Sequence, residues 1–210
     1  MNVYKACFDI VMALEGVYDS PEDTKKNGDS GGETFKGISR NNFGNWEGWK
    51  IIDDFKSKGI NPSTLGNNEE LTNMVLKFYK ENFWDKMSLD LISQQSPIIA
   101  AEMFDTGVNM YWGTSAKFLQ TTLNALNRNQ MYWKDIVVDG MIGNGTINAF
   151  NEAMKRGYED VIVMAINGEQ IHKYMQITQN DPTQEIFFVG WVRHRGKDPF
   201  TAYKSLKENV

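Results

Sequence analysis

The chain is poor in the residues that build covalent or metal-held frameworks. Cys7 is its only cysteine, His172 and His194 its only histidines, and five prolines are spread over 210 residues. One cysteine excludes an intrachain disulfide framework. Two isolated histidines do not make the ligand set of a zinc site, so neither metal nor cofactor is expected. No run of about twenty apolar residues occurs, so no membrane insertion is expected. The N-terminus offers Lys5, then Asp9 and Glu15, without the basic region, long apolar stretch and small-residue cleavage site of a standard signal peptide. Positive charge is also short. The 22 basic and 27 acidic side chains give a net charge of −5. That argues against nucleic acid as a partner, since neutralising phosphates takes a basic surface. It does not argue against an uncharged glycan. No internal repeat or low-complexity tract is present.

What remains is the composition of a soluble globular protein, 41% hydrophobic and 23% charged. The length suits one domain or two small ones. The first segment reads as an apolar helix over residues 2–15. Val3, Cys7, Ile10, Val11 and Leu14 recur at spacings of three and four. Gly16 then stands where a helix C-terminus favours glycine. Glu15 falls at the foot of this helix. The negative end of the helix dipole and an apolar setting both disfavour the ionised carboxylate. A carboxyl group so placed suits a general acid working near neutral pH. By position alone, a solvated glutamate in the last turn of a core helix is the commoner case.

The segment after Glu15 is rich in polar and acidic groups: Tyr18, Asp19, Glu22, Asp23, Asp29, Glu33 and Thr34, with Gly28, Gly31 and Gly32. Glycosidic hydrolysis needs paired carboxylates. One protonates the leaving oxygen, while the other activates water or stabilises positive charge on the sugar ring. Gly31-Gly32 permits close backbone approach or positive φ. An acidic surface loop with turn glycines has the same composition.

Glu15-Gly16-Val17-Tyr18, followed by the run Asp29 to Ser39, resembles the signature of glycoside hydrolase family 108. There a Glu-Gly-Gly-Tyr is followed by Gly-Gly-x-Thr-x-x-Gly-Ile-Ser/Thr. The family comprises lysozyme-like N-acetylmuramidases, many of them bacteriophage and bacterial, and some carry the older label of secretion activator protein. Downstream, Phe104 to Met110, Ala116 to Gln120 and Val138 to Gly143 resemble the peptidoglycan-binding region that follows the catalytic part. The resemblance spans roughly residues 5–180. It implies Glu15 as the catalytic acid, Thr34 as the threonine facing the attacking water, and Asp29 as the acidic partner, with Asp19 and Glu33 as competitors. Tyr18, Glu33 and Asn109 are the expected substrate-binding residues. Two features depart from the pattern: Val17 replaces a glycine, and the segment Ser20 to Gly28 is longer than usual.

The rest of the chain reads as helices. Asn67 with Glu70 resembles a capping box for a helix running to about Phe83. Ser96-Pro97 starts a helix that ends near Met110. Further helices are expected at 113–127, 145–156, 158–178, 184–195 and 199–208, and Ile136-Val137-Val138 suits a short extended piece. The expected fold is all-α, a lysozyme-like helical lobe packed against a second helical lobe with a cleft between them. The expected division is a catalytic region at 1–92, a peptidoglycan-binding region at 93–180 and C-terminal helices at 181–210 packing on the core. Glu102 and Asp105 share a helix face and either border the cleft or hold the next helix. Tyr111-Trp112 and Gly190 to Arg193 with Arg195 bring aromatic, amide and cationic groups suited to glycans and carboxylates.

The expected activity is a muramidase acting on the β-1,4 bond between N-acetylmuramic acid and N-acetylglucosamine, with peptidoglycan glycan strands as partner and no nucleic acid. The alternative is a non-catalytic peptidoglycan-binding or secretion-associated protein. Action at the bacterial cell wall would then require lysis or a non-standard export route.

Overall fold

The computed structural model describes residues 2–13, 16–26, 32–196 and 206. Glu15 and Asp29 lie outside the described residues, as does the helix expected at 199–208 apart from Leu206. The fold is mostly helical, with one small three-stranded sheet. The chain divides into two compact units. One is Phe8–Lys80, and the other combines Met1–Cys7 with Glu81–Val210.

The first helix, α1, is Val3–Met12. Its buried stripe is Tyr4, Cys7, Phe8 and Val11, one step round from the expected stripe, with Val3 and Ile10 only half-buried. The shift follows from size, because the two aromatic rings bury more area than Val3 and Ile10. Cys7 is an inert core thiol, its pKa pushed up to about 12 by burial.

In the Phe8–Lys80 unit, two-residue strands form the sheet: β1 (Tyr18–Asp19), β2 (Thr34–Phe35) and β3 (Ile38–Ser39), in the order β1-β2-β3 and antiparallel throughout. Strands this short carry no readable alternation. Between β1 and β2 lies α2 (Pro21–Lys26). Ser20 and Asp23 cap it reciprocally, the Asp23 amide donating to Ser20 Oγ and the Ser20 amide to Asp23 Oδ2, both at 3.2 Å. Two longer helices follow, α3 (Gly48–Ser57) and α4 (Glu69–Tyr79). The cap of α4 is Asn68 rather than Asn67; its Oδ1 accepts from the Leu71 amide at 2.9 Å. Asn67 instead closes a 3-10 turn, Pro62–Asn67. The core here is aromatic. Phe78 meets Phe43 edge-on at 4.8 Å and Tyr79 at 5.4 Å, and Trp46 meets Trp49 at 5.2 Å.

The other unit holds the longer helices: α5 (Leu89–Ser93), α6 (Pro97–Met110), α7 (Trp112–Leu126), α8 (Asn144–Lys155), α9 (Glu159–Asn180) and α10 (Glu185–Arg195). Of these, α6 to α10 fall within a few residues of the expected ranges, and α5 is a helix that was not expected. Ser96 caps α6 as expected, Oγ accepting from the Ile99 amide at 3.1 Å. Every residue from 98 to 107 is buried, so α6 is a central helix enclosed on all sides. Gly107 lets the Met87 side chain pack close to α6, since a Cβ there would stand 2.6 Å from Met87 Cε. Tyr4 packs edge-on against Trp84 at 5.1 Å and Phe104 at 5.9 Å. Residues Ile136 to Val138 form no strand. Glu102 and Asp105 hold neighbouring helices: Asn167 of α9 donates to Glu102 at 3.2 Å, and Arg195 of α10 pairs with Asp105 at 2.5 Å. No helix among the described residues is long and apolar enough to cross a membrane.

Candidate active site

The run from Gly32 to Ser39 builds a tight β-hairpin, and most of its residues serve that construction. Phe35 and Ile38 pair across it and are fully buried. Between them Lys36 and Gly37 both adopt positive φ, 44° and 77°. That is the pairing of a two-residue type I′ hairpin, which puts glycine at its second position. Two contacts fix the turn: Lys36 Nζ donates to the Gly66 carbonyl at 2.7 Å, and the Tyr79 hydroxyl donates to the Lys36 carbonyl at 2.9 Å. Burial holds the Lys36 ammonium below the usual lysine range. Gly32 has φ of 68°, and a Cβ there would lie 2.8 Å from the Asn41 amide group. The second glycine of the motif is therefore a backbone requirement.

Glu33 is a buried hub, 5% exposed. Its Oε1 accepts from the Tyr18 hydroxyl at 2.8 Å and from Lys56 Nζ at 2.7 Å. Its Oε2 lies 2.6 Å from Arg40 Nε. Arg40 continues the network with a bidentate pair to Asp53, at 2.7 and 3.0 Å, and lies 4.3 Å over the Trp49 ring. The Arg40 hydrogen bonds hold the Asp53 carboxyl below the usual carboxylate range. Burial pushes the Tyr18 phenol well above its ordinary value, and its hydrogen bond to Glu33 adds to the shift. The phenol is thus a neutral donor. Tyr18 and Glu33, both expected at the substrate, are brought together in this network.

Thr34 and Asp19 are left on the other register. They are paired directly across β1 and β2, which places them on one face of the sheet. Thr34 Oγ1 donates to the Gly32 carbonyl at 3.1 Å. Asp19 is half-buried, and among the described residues its carboxylate makes no hydrogen bond or ion pair. Its Oδ2 lies 3.8 Å from where a Cβ on Gly16 would stand, so it points back toward the residue that follows Glu15. Val17, at the position where a glycine was expected, packs its methyl groups against Gly66; a Cβ on Gly66 would come within 3.2 Å of them. The added side chain is met by a missing one.

Asn109 belongs to the other unit and sits exposed at the end of α6, accepting from the Tyr174 hydroxyl at 2.8 Å. The Asp139-Gly140 turn is held by buried Gln120. Its Nε2 donates to Asp139 Oδ1 at 2.9 Å and to the Met141 carbonyl at 3.0 Å, while its Oε1 accepts from the Gly140 amide at 2.8 Å. Gly140 has φ of 84°, with a Cβ position 2.9 Å from the Gly113 carbonyl. Glutamine and turn form one structural motif. Sequence reasoning missed Arg40, Lys56 and Asp53 as supports of the hairpin. The Lys56–Glu33 and Arg40–Asp53 pairs are long-range and leave no local spacing, whereas Arg40 faces Glu33 across the hairpin, its amide donating to the Glu33 carbonyl at 2.8 Å. No group of three or more potential metal ligands occurs among the described residues.

Comparison with known proteins divides the chain in two. The family described as Glycosyl hydrolase 108 matches residues 8–110, and a family described as a Predicted Peptidoglycan domain matches residues 114–196. No curated protein matches the chain. The solved structure of Brucella abortus SagA is similar in fold, with a TM-score of 0.58 at 19% identity, covering 96% of this chain and 94% of that one.

Proposed function

We propose that this chain is a wall-directed muramidase with Glu15 as its acid, a reading supported by the match of residues 8–110 to the family described as Glycosyl hydrolase 108 and of residues 114–196 to the Predicted Peptidoglycan domain. It adds water across the β-1,4 bond between N-acetylmuramic acid and N-acetylglucosamine. Glu15 protonates the leaving glycosidic oxygen, and a second carboxylate handles the water or the charge developing on the sugar ring. One observation carries this reading. The segment right after Glu15 is paired in register with the motif threonine, so Asp19 and Thr34 share a face, while the hairpin beneath is locked by Glu33. A reacting water needs such fixed polar partners.

Glu33 is engaged by three donors and supports the site through Tyr18. Asp29 is the partner indicated by the motif, and Asp19 is the described carboxylate left unengaged. We assign the catalytic region to residues 1–92 and the binding region to 93–180. Incubation with purified sacculi tests the bond specificity. Borohydride reduction of the products should yield muramitol, the mark of a new reducing end on N-acetylmuramic acid. Reduced glucosamine in its place would contradict the proposal. In the same assay Asp19→Asn and Asp29→Asn separate the two carboxylates, since the working partner loses turnover and the other keeps it.

A further inference from the structure

A concavity of about 220 Å³ lies within the unit of longer helices, lined by Asn109, Met110, Lys173, Tyr174, Ile177 and Trp191. These residues come from the end of α6, the second half of α9 and α10. Their chemistry is mixed in a particular way. Trp191 is half-buried and stacked, 5.1 Å from Tyr174 at 23° and 5.9 Å from Phe187 at 26°. It is held in place rather than free to collapse into the space. With Ile177 and Met110 it gives the concavity an apolar wall, of the kind that suits the C–H face of a pyranose ring.

The polar groups are few and aimed. The Tyr174 hydroxyl occupies Asn109 Oδ1, which leaves the two Nδ2 hydrogens for an acyl carbonyl or a sugar hydroxyl. Lys173 is half-buried and makes no hydrogen bond or ion pair among the described residues. An uncompensated ammonium beside an apolar wall favours a carboxylate.

We propose that this concavity is a second glycan-binding site, selective for a carboxylate-bearing N-acylated amino sugar. It rests on the reading that wall glycan is the substrate, and it adds a place where the chain holds that glycan without cleaving it. In the wall the carboxylate has two sources, the lactyl group of N-acetylmuramic acid or the peptide attached to it. The site's elements fall across the end of one family match and the body of the other.

The test uses the full chain carrying Glu15→Gln, titrated with N-acetylmuramic acid, muramyl dipeptide and neutral N-acetylglucosamine while amide and indole NMR shifts are followed. The anionic ligands should bind saturably and shift the Trp191 indole, and N-acetylglucosamine should bind at least tenfold more weakly. Binding of muramyl dipeptide alone identifies the peptide carboxylate as the source. Binding of N-acetylmuramic acid alone identifies the lactyl carboxylate, and binding of both shows that either carboxylate satisfies Lys173. Lys173→Met should remove most of the preference for anionic ligands, and Lys173→Arg should restore it. Equal affinity for the neutral sugar, no saturable binding, or an unchanged preference in Lys173→Met would overturn the proposal. Turnover of short soluble glycan is measured in parallel on Lys173→Met with Glu15 intact. No turnover by the unsubstituted protein would count against the muramidase reading alone, because binding is read independently, whereas turnover lost only in Lys173→Met would place the concavity in the cleaving site and overturn the proposal.

Discussion

The two units bury acids in opposite ways. In Phe8–Lys80, Glu33 sits beneath two-residue strands, held by Tyr18, Lys56 and Arg40, with Arg40 tied onward to Asp53. In the other unit, Glu102 and Asp105 ride on a helix buried along its length, each engaged by a neighbouring helix amid apolar packing. The difference follows from element length. Strands of two residues supply few ladder hydrogen bonds, so side-chain ion pairs and aromatic contacts must define the hairpin's geometry. Helices of fourteen to 22 residues supply their own backbone bonds and need mainly apolar area to pack. The hairpin in Phe8–Lys80 therefore rests on charge, and the unit of longer helices rests on volume.

Volume changes should test that contrast most severely. Phe104→Ala removes a fully buried ring from α6 and should cost about 3–5 kcal/mol, read by chemical denaturation. The loss should appear as faster hydrogen exchange in α6 and α7 before the hairpin is affected. Next in size is Glu33→Gln, which leaves Lys56 and Arg40 facing a neutral amide. Those cations are partly exposed, so the cost should be about 2–3 kcal/mol, below that of breaking a fully buried pair. Its signature should be local, with hairpin exchange accelerated and turnover reduced while α6 is unchanged. An equal effect in both units would erase the distinction.

The smallest expected effect has the opposite sign. Both amide atoms of Gln170, fully buried on α9, have no hydrogen-bond partner among the described residues. Gln170→Leu should be neutral or stabilising by up to about 1 kcal/mol, because replacing an unsatisfied polar group by an apolar one of similar shape removes a desolvation cost. A loss of stability in that variant would show that the amide is satisfied in solution.

The sequence was informative where the physics is local. Ser96-Pro97 predicts the start of α6 because a cap and an N1 proline act within one turn. The spacing of apolar residues predicts α7, α8 and α9 because helical period is a short-range property. It failed where structure depends on distant partners. The sheet has strands too short for any period to show. The Glu33–Lys56 and Arg40–Asp53 pairs join residues whose proximity only the fold creates. The motif itself is legible in a different sense. Gly32, Gly37 and Ile38 are motif positions that the hairpin itself needs, leaving Thr34 and Asp19 as the groups its geometry does not consume.

The central claim is that this chain cuts wall glycan through Glu15. The direct measurement is release of reducing ends from purified sacculi by wild type and by Glu15→Gln at matched concentration, with thermal denaturation recorded for both. Removing a general acid should lower the rate by about 10²–10⁴-fold with the denaturation curve unchanged. Equal rates in the two proteins would contradict the account.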